Sequence, residues 1–79
     1  MSTIDKALDA LFLLGERPHA LRLADIARAL DMPRSSAHRT LAPLVRRGLA
    51  ERDAEGRYRA GLALLALGLG VAGREPLAL

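Results

Sequence analysis

Between Pro33 and Gly48 the chain reads PRSSAHRTLAPLVRRG, which brings Arg34, Ser35, Ser36, His38, Arg39, Arg46 and Arg47 close together. Arginine binds phosphate and can bridge O6 and N7 of guanine. Serine hydroxyls bond phosphates or base edges, and small side chains let a backbone approach closely. The chemistry on offer is recognition of a polyanion. Ser36, His38 and Asp31 also suggest a hydrolytic set. However, residues two apart on a helix lie on different sides and cannot share the required hydrogen bond. The chain also lacks a glycine-rich oxyanion loop, so no catalysis is expected.

These residues need a helix to carry them. Pro33 is expected at the first helical position, where its missing N–H costs nothing, and Gly48 at the stop. Stepping residues by 100° around 33–47 puts Ala37, Leu41 and Leu44 on one side, bordered by Thr40 and Val45. Ser35, Arg39, Ala42 and Arg46 fall opposite, with Ser36 and Pro43 at the edge and His38 on a flank. The first side is a core face and the second a groove face. Ser35, Ser36 and Arg39 are expected in a major groove, with Arg46 and Arg47 on phosphate. A solvated face of an ordinary amphipathic helix is the competing reading. Pro43 removes the N–H that would bond the Arg39 carbonyl, a cost of about 3 kcal/mol in a helix interior. A kink there is favoured over an end near Ala42, because Leu41, Leu44 and Val45 keep helical spacing across it.

The flanking elements follow from period and punctuation. Ser2 to Leu14 reads as a first helix, with Ser2 and Asp5 as a capping box and Ile4, Ala7, Leu8, Leu11 and Leu14 as its inward stripe. Gly15 is its expected C-cap, and Phe12 and Leu13 widen the stripe as if a partner chain covered a second side. Leu21 to Leu23 is a candidate short strand, Leu23 to Leu30 a short helix, and Asp31-Met32 a tight turn. Leu49–Arg52 and Arg57–Ala60 flank Asp53-Ala54-Glu55-Gly56 as a β-hairpin. Arg57 and Arg59 share one side of it and are candidates for phosphate or minor-groove contact, as is Arg52. Tyr58 on the other side packs the wing onto the core. Gly61 ends the hairpin, and Leu62 to Val71 reads as a last helix with Leu62, Leu65 and Leu69 inward. The expected fold is mainly α with a small β-hairpin, a winged helix-turn-helix over 1–72. Residues 73–79 read as the start of a linker.

Composition sets the outer limits. Seventy-nine residues make one small domain, half apolar, whose core must be aliphatic because Phe12 and Tyr58 are the sole aromatics. With no cysteine and only His19 and His38, neither a disulfide nor a metal site is expected, and no cofactor is implied. No signal peptide or membrane span is legible, so the simplest expectation is a cytoplasmic chain. The net charge is +3, yet residues 33–59 alone hold seven arginines against Glu51, Asp53 and Glu55. Charge concentrated in one third of a domain points to nucleic acid. A winged helix used only for protein–protein assembly is the alternative, though an assembly surface would expose larger apolar groups on the groove face.

Three stretches, KALDALFLL, LRLADIARALDMPRSSAHRTLAPLVRRGLAER and EGRYRAGLALLALG, resemble the N-terminal DNA-binding domain of IclR-type bacterial transcriptional regulators. The resemblance covers nearly the whole chain. It implies a repressor or activator that binds a pseudo-palindromic double-stranded operator as a homodimer, through the first helix and the C-terminal helix. Direct contacts would fall to Pro33, Arg34, Ser35, Ser36, His38 and Arg39, with Arg39 the strongest match. Pro43 departs from the family pattern. So does the end at Leu79, about where a linker would lead into an effector-sensing domain. Any small-molecule effector would act through such a domain, not through these residues.

Overall fold

The computed structural model describes residues 2–74. Its element order is α1 (Thr3–Glu16), α2 (Leu23–Ala29), α3 (Arg34–Arg46), β1 (Ala50–Arg52), β2 (Tyr58–Ala60) and α4 (Leu62–Ala72), the expected mainly helical winged helix-turn-helix.

The capping box forms at the start of α1. Asp5 N–H donates to Ser2 Oγ at 3.1 Å, and Asp5 Oδ2 accepts from Ser2 N–H at 3.1 Å. The Ser2 N–H, and then its hydroxyl, hold the Asp5 carboxyl below the usual range. Gly15 is not the cap. The helix runs on to Glu16 and ends at Arg17, which is extended at φ −94°, ψ 131°. Pro18 explains this, because a proline pushes the residue before it out of the helical region. The inward stripe also differs from expectation. Ala10 and Leu14 are buried, with Ala7, Leu11 and Leu13 packed beside them. Ile4 and Leu8 are exposed together with Phe12, at 72%, 47% and 71%. Two apolar stripes share this helix, and the small side chains of Ala7 and Ala10 allow the closer approach.

Two similar helix ends shape the helix-turn-helix. After α2, Asp31 N–H donates to the Arg28 carbonyl at 3.2 Å and Met32 N–H to the Ala27 carbonyl at 2.9 Å. After α3, Gly48 N–H reaches the Val45 carbonyl at 3.1 Å and Leu49 N–H the Leu44 carbonyl at 2.9 Å. Both are Schellman ends, which place one residue at positive φ. Gly48 does so at 75° without cost, whereas Asp31 does so at 53° with a side chain. Asp31→Val should therefore lower stability by about 1–2 kcal/mol in denaturant melts, because a β-branched residue tolerates that region poorly. Asp31→Gly should keep the turn.

Pro33 is the N-cap of α3, not its first helical residue, so the helix starts one residue later than expected, and the Pro33 carbonyl accepts from Ala37 N–H at 3.0 Å. The helix runs through Pro43 without a break, so an end near Ala42 is ruled out. Buried Leu41 and Leu44 clamp it on both sides of the proline, and Arg47 N–H donates to the Pro43 carbonyl at 3.1 Å.

The hairpin is antiparallel, pairing Ala50 with Ala60, Glu51 with Arg59 and Arg52 with Tyr58. Leu21 adds a one-residue third strand. Its N–H donates to the Tyr58 carbonyl at 2.7 Å, and Tyr58 N–H donates back at 2.8 Å. Tyr58 itself joins Ala10, Leu14, Ile26, Leu41, Leu44 and Ala50 in the core, as its place on the strand predicts. The turn is tied by Asp53, whose Oδ1 accepts from the N–H groups of Glu55 and Arg57, both at 2.9 Å.

Gly61 starts α4, and Ala63 N–H donates to the Gly48 carbonyl at 3.0 Å. Beyond that junction the expected inward face is not found. Leu62, Leu65 and Leu69 are 72%, 57% and 62% exposed, and no described residue of α4 is buried. Only Leu64, half-buried, faces α1, where it shares a cleft with Leu8, Leu11 and Phe12, while the other leucines of α4 are uncovered among the described residues. Residues 75–79 of the expected linker lie outside the described residues.

Candidate nucleic-acid interface

Helix α3 is held by its apolar side. Ala37 and Leu41 are fully buried and Leu44 nearly so, which fixes the opposite face toward solvent. There Arg34, Ser35, Arg39 and Arg46 are exposed, with His38 exposed on the flank, Ser36 half-buried at the edge, and Pro33 and Arg47 exposed at the two ends. The structure thus puts all eight sequence-derived candidates of this helix at the surface, from its cap to its last turn. Arg39 Nη2 donates to Ser36 Oγ at 3.4 Å, a loose bond along one edge of α3. Ser36 and His38 share no hydrogen bond among the described residues.

Electrostatics separate this face from the rest of the molecule. Among the described residues the ion pairs are Arg22–Asp25 at 3.2 Å, Arg28–Asp25 at 3.4 Å and Arg59–Glu51 at 3.3 Å. The hydrogen bond from Arg22, foremost, depresses the Asp25 carboxyl. Among the described residues no carboxylate lies within ion-pair distance of Arg34, Arg39, Arg46 or Arg47, so the described part of the chain leaves the charge of α3 uncompensated. A cationic face of this kind attracts a polyanion from a distance.

The wing divides its cations. Arg59 is exposed but paired with Glu51 across the hairpin. Arg57 is exposed just before β2 and outside the ion pairs. Arg52 stacks 4.9 Å above the centre of the Tyr58 ring and donates to the Gly56 carbonyl at 3.3 Å, so it braces the turn. Nothing in the spacing of Arg52 signals that role.

Lys6 is the other residue whose place is invisible in the sequence. Its Nζ donates to the Leu30 carbonyl at 2.9 Å, capping the end of α2 from α1. A lysine against the last carbonyls of a helix also meets the negative end of its dipole. The angle at which α2 leads into α3 is thereby tied to α1. No described group of His, Cys, Asp or Glu is placed to hold a metal ion. No described helix is long and apolar enough to cross a membrane.

Comparison with known proteins agrees with this geometry. A family profile described as the IclR helix-turn-helix domain matches residues 3–54. The HTH-type transcriptional regulator KipR of Bacillus subtilis is 36% identical over 72 residues, covering 91% of this chain and 28% of KipR. The crystal structure of the Agobacterium tumefaciens repressor BlcR superposes with a TM-score of 0.80 at 33% identity, covering 92% of this chain and 29% of that one. Pseudomonas aeruginosa HmgR gives 0.83 at 29% identity, covering 95% and 31%. The chain thus spans less than a third of the length of each.

Proposed function

The chain belongs to the IclR helix-turn-helix family, and from that premise we propose that it is the sequence-specific DNA-binding domain of a transcriptional regulator. In this reading α3, with its caps at 33–47, lies in the major groove, and the wing over 49–60 rests on the backbone or minor groove. One observation carries it: the arginines of α3 lie opposite the core and, among the described residues, have no carboxylate partner. Pro33, Arg34, Ser35, Ser36, His38 and Arg39 stand nearest the bases, while Arg46, Arg47, Arg57 and Arg59 meet phosphates.

The same reading takes residues 1–72 as the domain and 73–79 as the start of a linker. Two copies bind a pseudo-palindromic operator, joined through α1 and α4. The exposed stripe of Ile4, Leu8 and Phe12 and the exposed Leu62, Leu65, Leu67 and Leu69 of α4 support that joint, since neither set is covered among the described residues. An effector would act through a further domain, in a cytoplasmic regulator, and the chain itself has no catalytic role.

Two substitutions test the division of labour on α3. Arg39→Ala should cost roughly 1–3 kcal/mol on the preferred sequence and flatten the preference at one base position. Arg46→Ala should weaken all sequences alike. Binding titrations on selected and scrambled duplexes separate the two. Uniform loss with Arg39→Ala would make it a phosphate contact.

A further inference from the structure

Beside the groove face lies a cleft shared between α1 and α3. It has a volume of about 330 Å³ and is lined by Ser2, Thr3 and Lys6 of α1, by Met32 of the turn, and by Ser36, Arg39 and Thr40 of α3. That is room for several water-sized groups of ~30 Å³ each. Its walls are unusual for this chain. Two come from different helices, each brings one cation and at least one hydroxyl, and among the described residues no carboxylate lines it. Asp5, the nearest acid in sequence, is turned into the capping box with Ser2.

The donors are only partly used. Lys6 spends one ammonium proton on the Leu30 carbonyl and has two more. Arg39 spends one N–H on a long bond to Ser36 Oγ. The Thr40 hydroxyl is bound to the Ser36 carbonyl at 2.8 Å and Ser2 is held in the capping box, whereas the Thr3 hydroxyl makes no hydrogen bond among the described residues. A concave wall of cations and hydroxyls without a carboxylate suits a tetrahedral oxyanion.

We propose that this cleft seats a DNA backbone phosphate, held by Lys6 and Thr3 from α1, with the base-reading Arg39 of α3 as the neighbouring cationic wall. The proposal rests on the DNA-binding reading above. Its consequence is positional. The seat adjoins Ser36 and Arg39, so a phosphate held there fixes how far α3 enters the groove, and through the bond from Lys6 to Leu30 it registers the helix-turn-helix against α1. Lys6 and Thr3 are then DNA contacts outside the recognition helix and the wing.

Salt-dependent titration on a mixed-sequence duplex tests the seat. Lys6→Met should weaken every sequence on the order of tenfold and make the slope of log K against log salt shallower by about 0.9 per copy. Lys6→Arg should restore most of both. Lys6→Met also removes a cap, so Thr3→Glu provides an independent arm. An acid in the first turn favours the helix, and its charge in the cleft should lower affinity at least as much with the thermal melt unchanged. Wild-type affinity and slope in both Lys6→Met and Thr3→Glu would overturn the seat while DNA binding itself stands. A loss confined to one sequence would also overturn it, as a base contact. A wild-type chain that fails to bind the duplex would remove the DNA reading and the seat together. Inorganic phosphate titrated onto the DNA-free chain should give no saturable shift at the Thr3 and Lys6 amides. Tight saturation would mark a site for a small anion instead.

Discussion

Gly61→Ala is expected to remove on the order of 3 kcal/mol of folding stability. A methyl group at Gly61 would run into the Gly48 carbonyl oxygen, and would stand 2.8 Å from the Gly48 carbonyl carbon and 3.0 Å from that of Leu49. All three are backbone atoms, so no side chain can rotate aside. Gly48 is itself fixed by its left-handed φ at the end of α3, and Gly61 N–H donates to the Leu49 carbonyl at 2.9 Å. The methyl would therefore pry apart the end of α3, the wing and the start of α4 together. A domain of this size holds roughly 4–12 kcal/mol in total, so the loss is a large share of it. Gly68→Ala is the internal control. A methyl there meets nothing within 4 Å, and stability should rise by about 0.5–1 kcal/mol, as for any solvent-facing helical glycine. Urea melts of the two variants against the parent check both signs. Equal midpoints for Gly61→Ala and the parent would mean that the wing and α4 are not locked to α3 as described.

Several features were legible because they depend on local chemistry. Ser2 and Asp5 announce a capping box, and Gly48 announces a left-handed helix end. Ala37, Leu41 and Leu44 recur on one face of α3 with no large apolar residue opposite, only Ala42 and Pro43, so its core side and arginine side could be separated from spacing alone. The acidic turn over 53–56 between two short β segments marks the wing. Helix α1 was harder, because Ile4, Leu8 and Phe12 repeat as regularly as Ala7, Leu11 and Leu14. Periodicity cannot say which stripe α2 and α3 will cover. Helix α4 failed for a related reason. A helix apolar on every side has no inward face until a partner supplies one. Pro18, not Gly15, ends α1 because the restriction it places on Arg17 acts even where the glycine keeps helical angles.

The candidate site shows the same division. Its groove face follows from the order of residues along α3. The bracing contacts, Lys6 on the Leu30 carbonyl and Arg52 over Tyr58, join residues 24 and 6 apart in the chain and arise only from packing. Pro43 lies between these cases. The crowding it causes is a local certainty. The continuity of the helix through it is a tertiary result, secured by Leu41 and Leu44 on either side and by the bonds that close the helix at Gly48 and Leu49.

The central claim is that the arginine face of α3 meets DNA phosphates and bases, and ionic strength probes it most directly. Each phosphate neutralised by a lysine or arginine releases condensed counterions, so log K falls linearly with log salt, by about 0.9 per contact. Each copy presents Arg46 and Arg47 at the end of α3 and Arg57 and Arg59 on the wing to phosphates, so two copies on one duplex make about eight such contacts, within the usual 6–10. Between about 50 and 200 mM salt the affinity for a selected duplex should drop on the order of 10³-fold or more. That is the largest change foreseen for this molecule. The measurement is a fluorescence-anisotropy titration of the intact chain with duplex DNA across that range. A steep linear decline is the predicted result. Binding that is absent at the lowest salt, or that does not change across the range, would contradict the account.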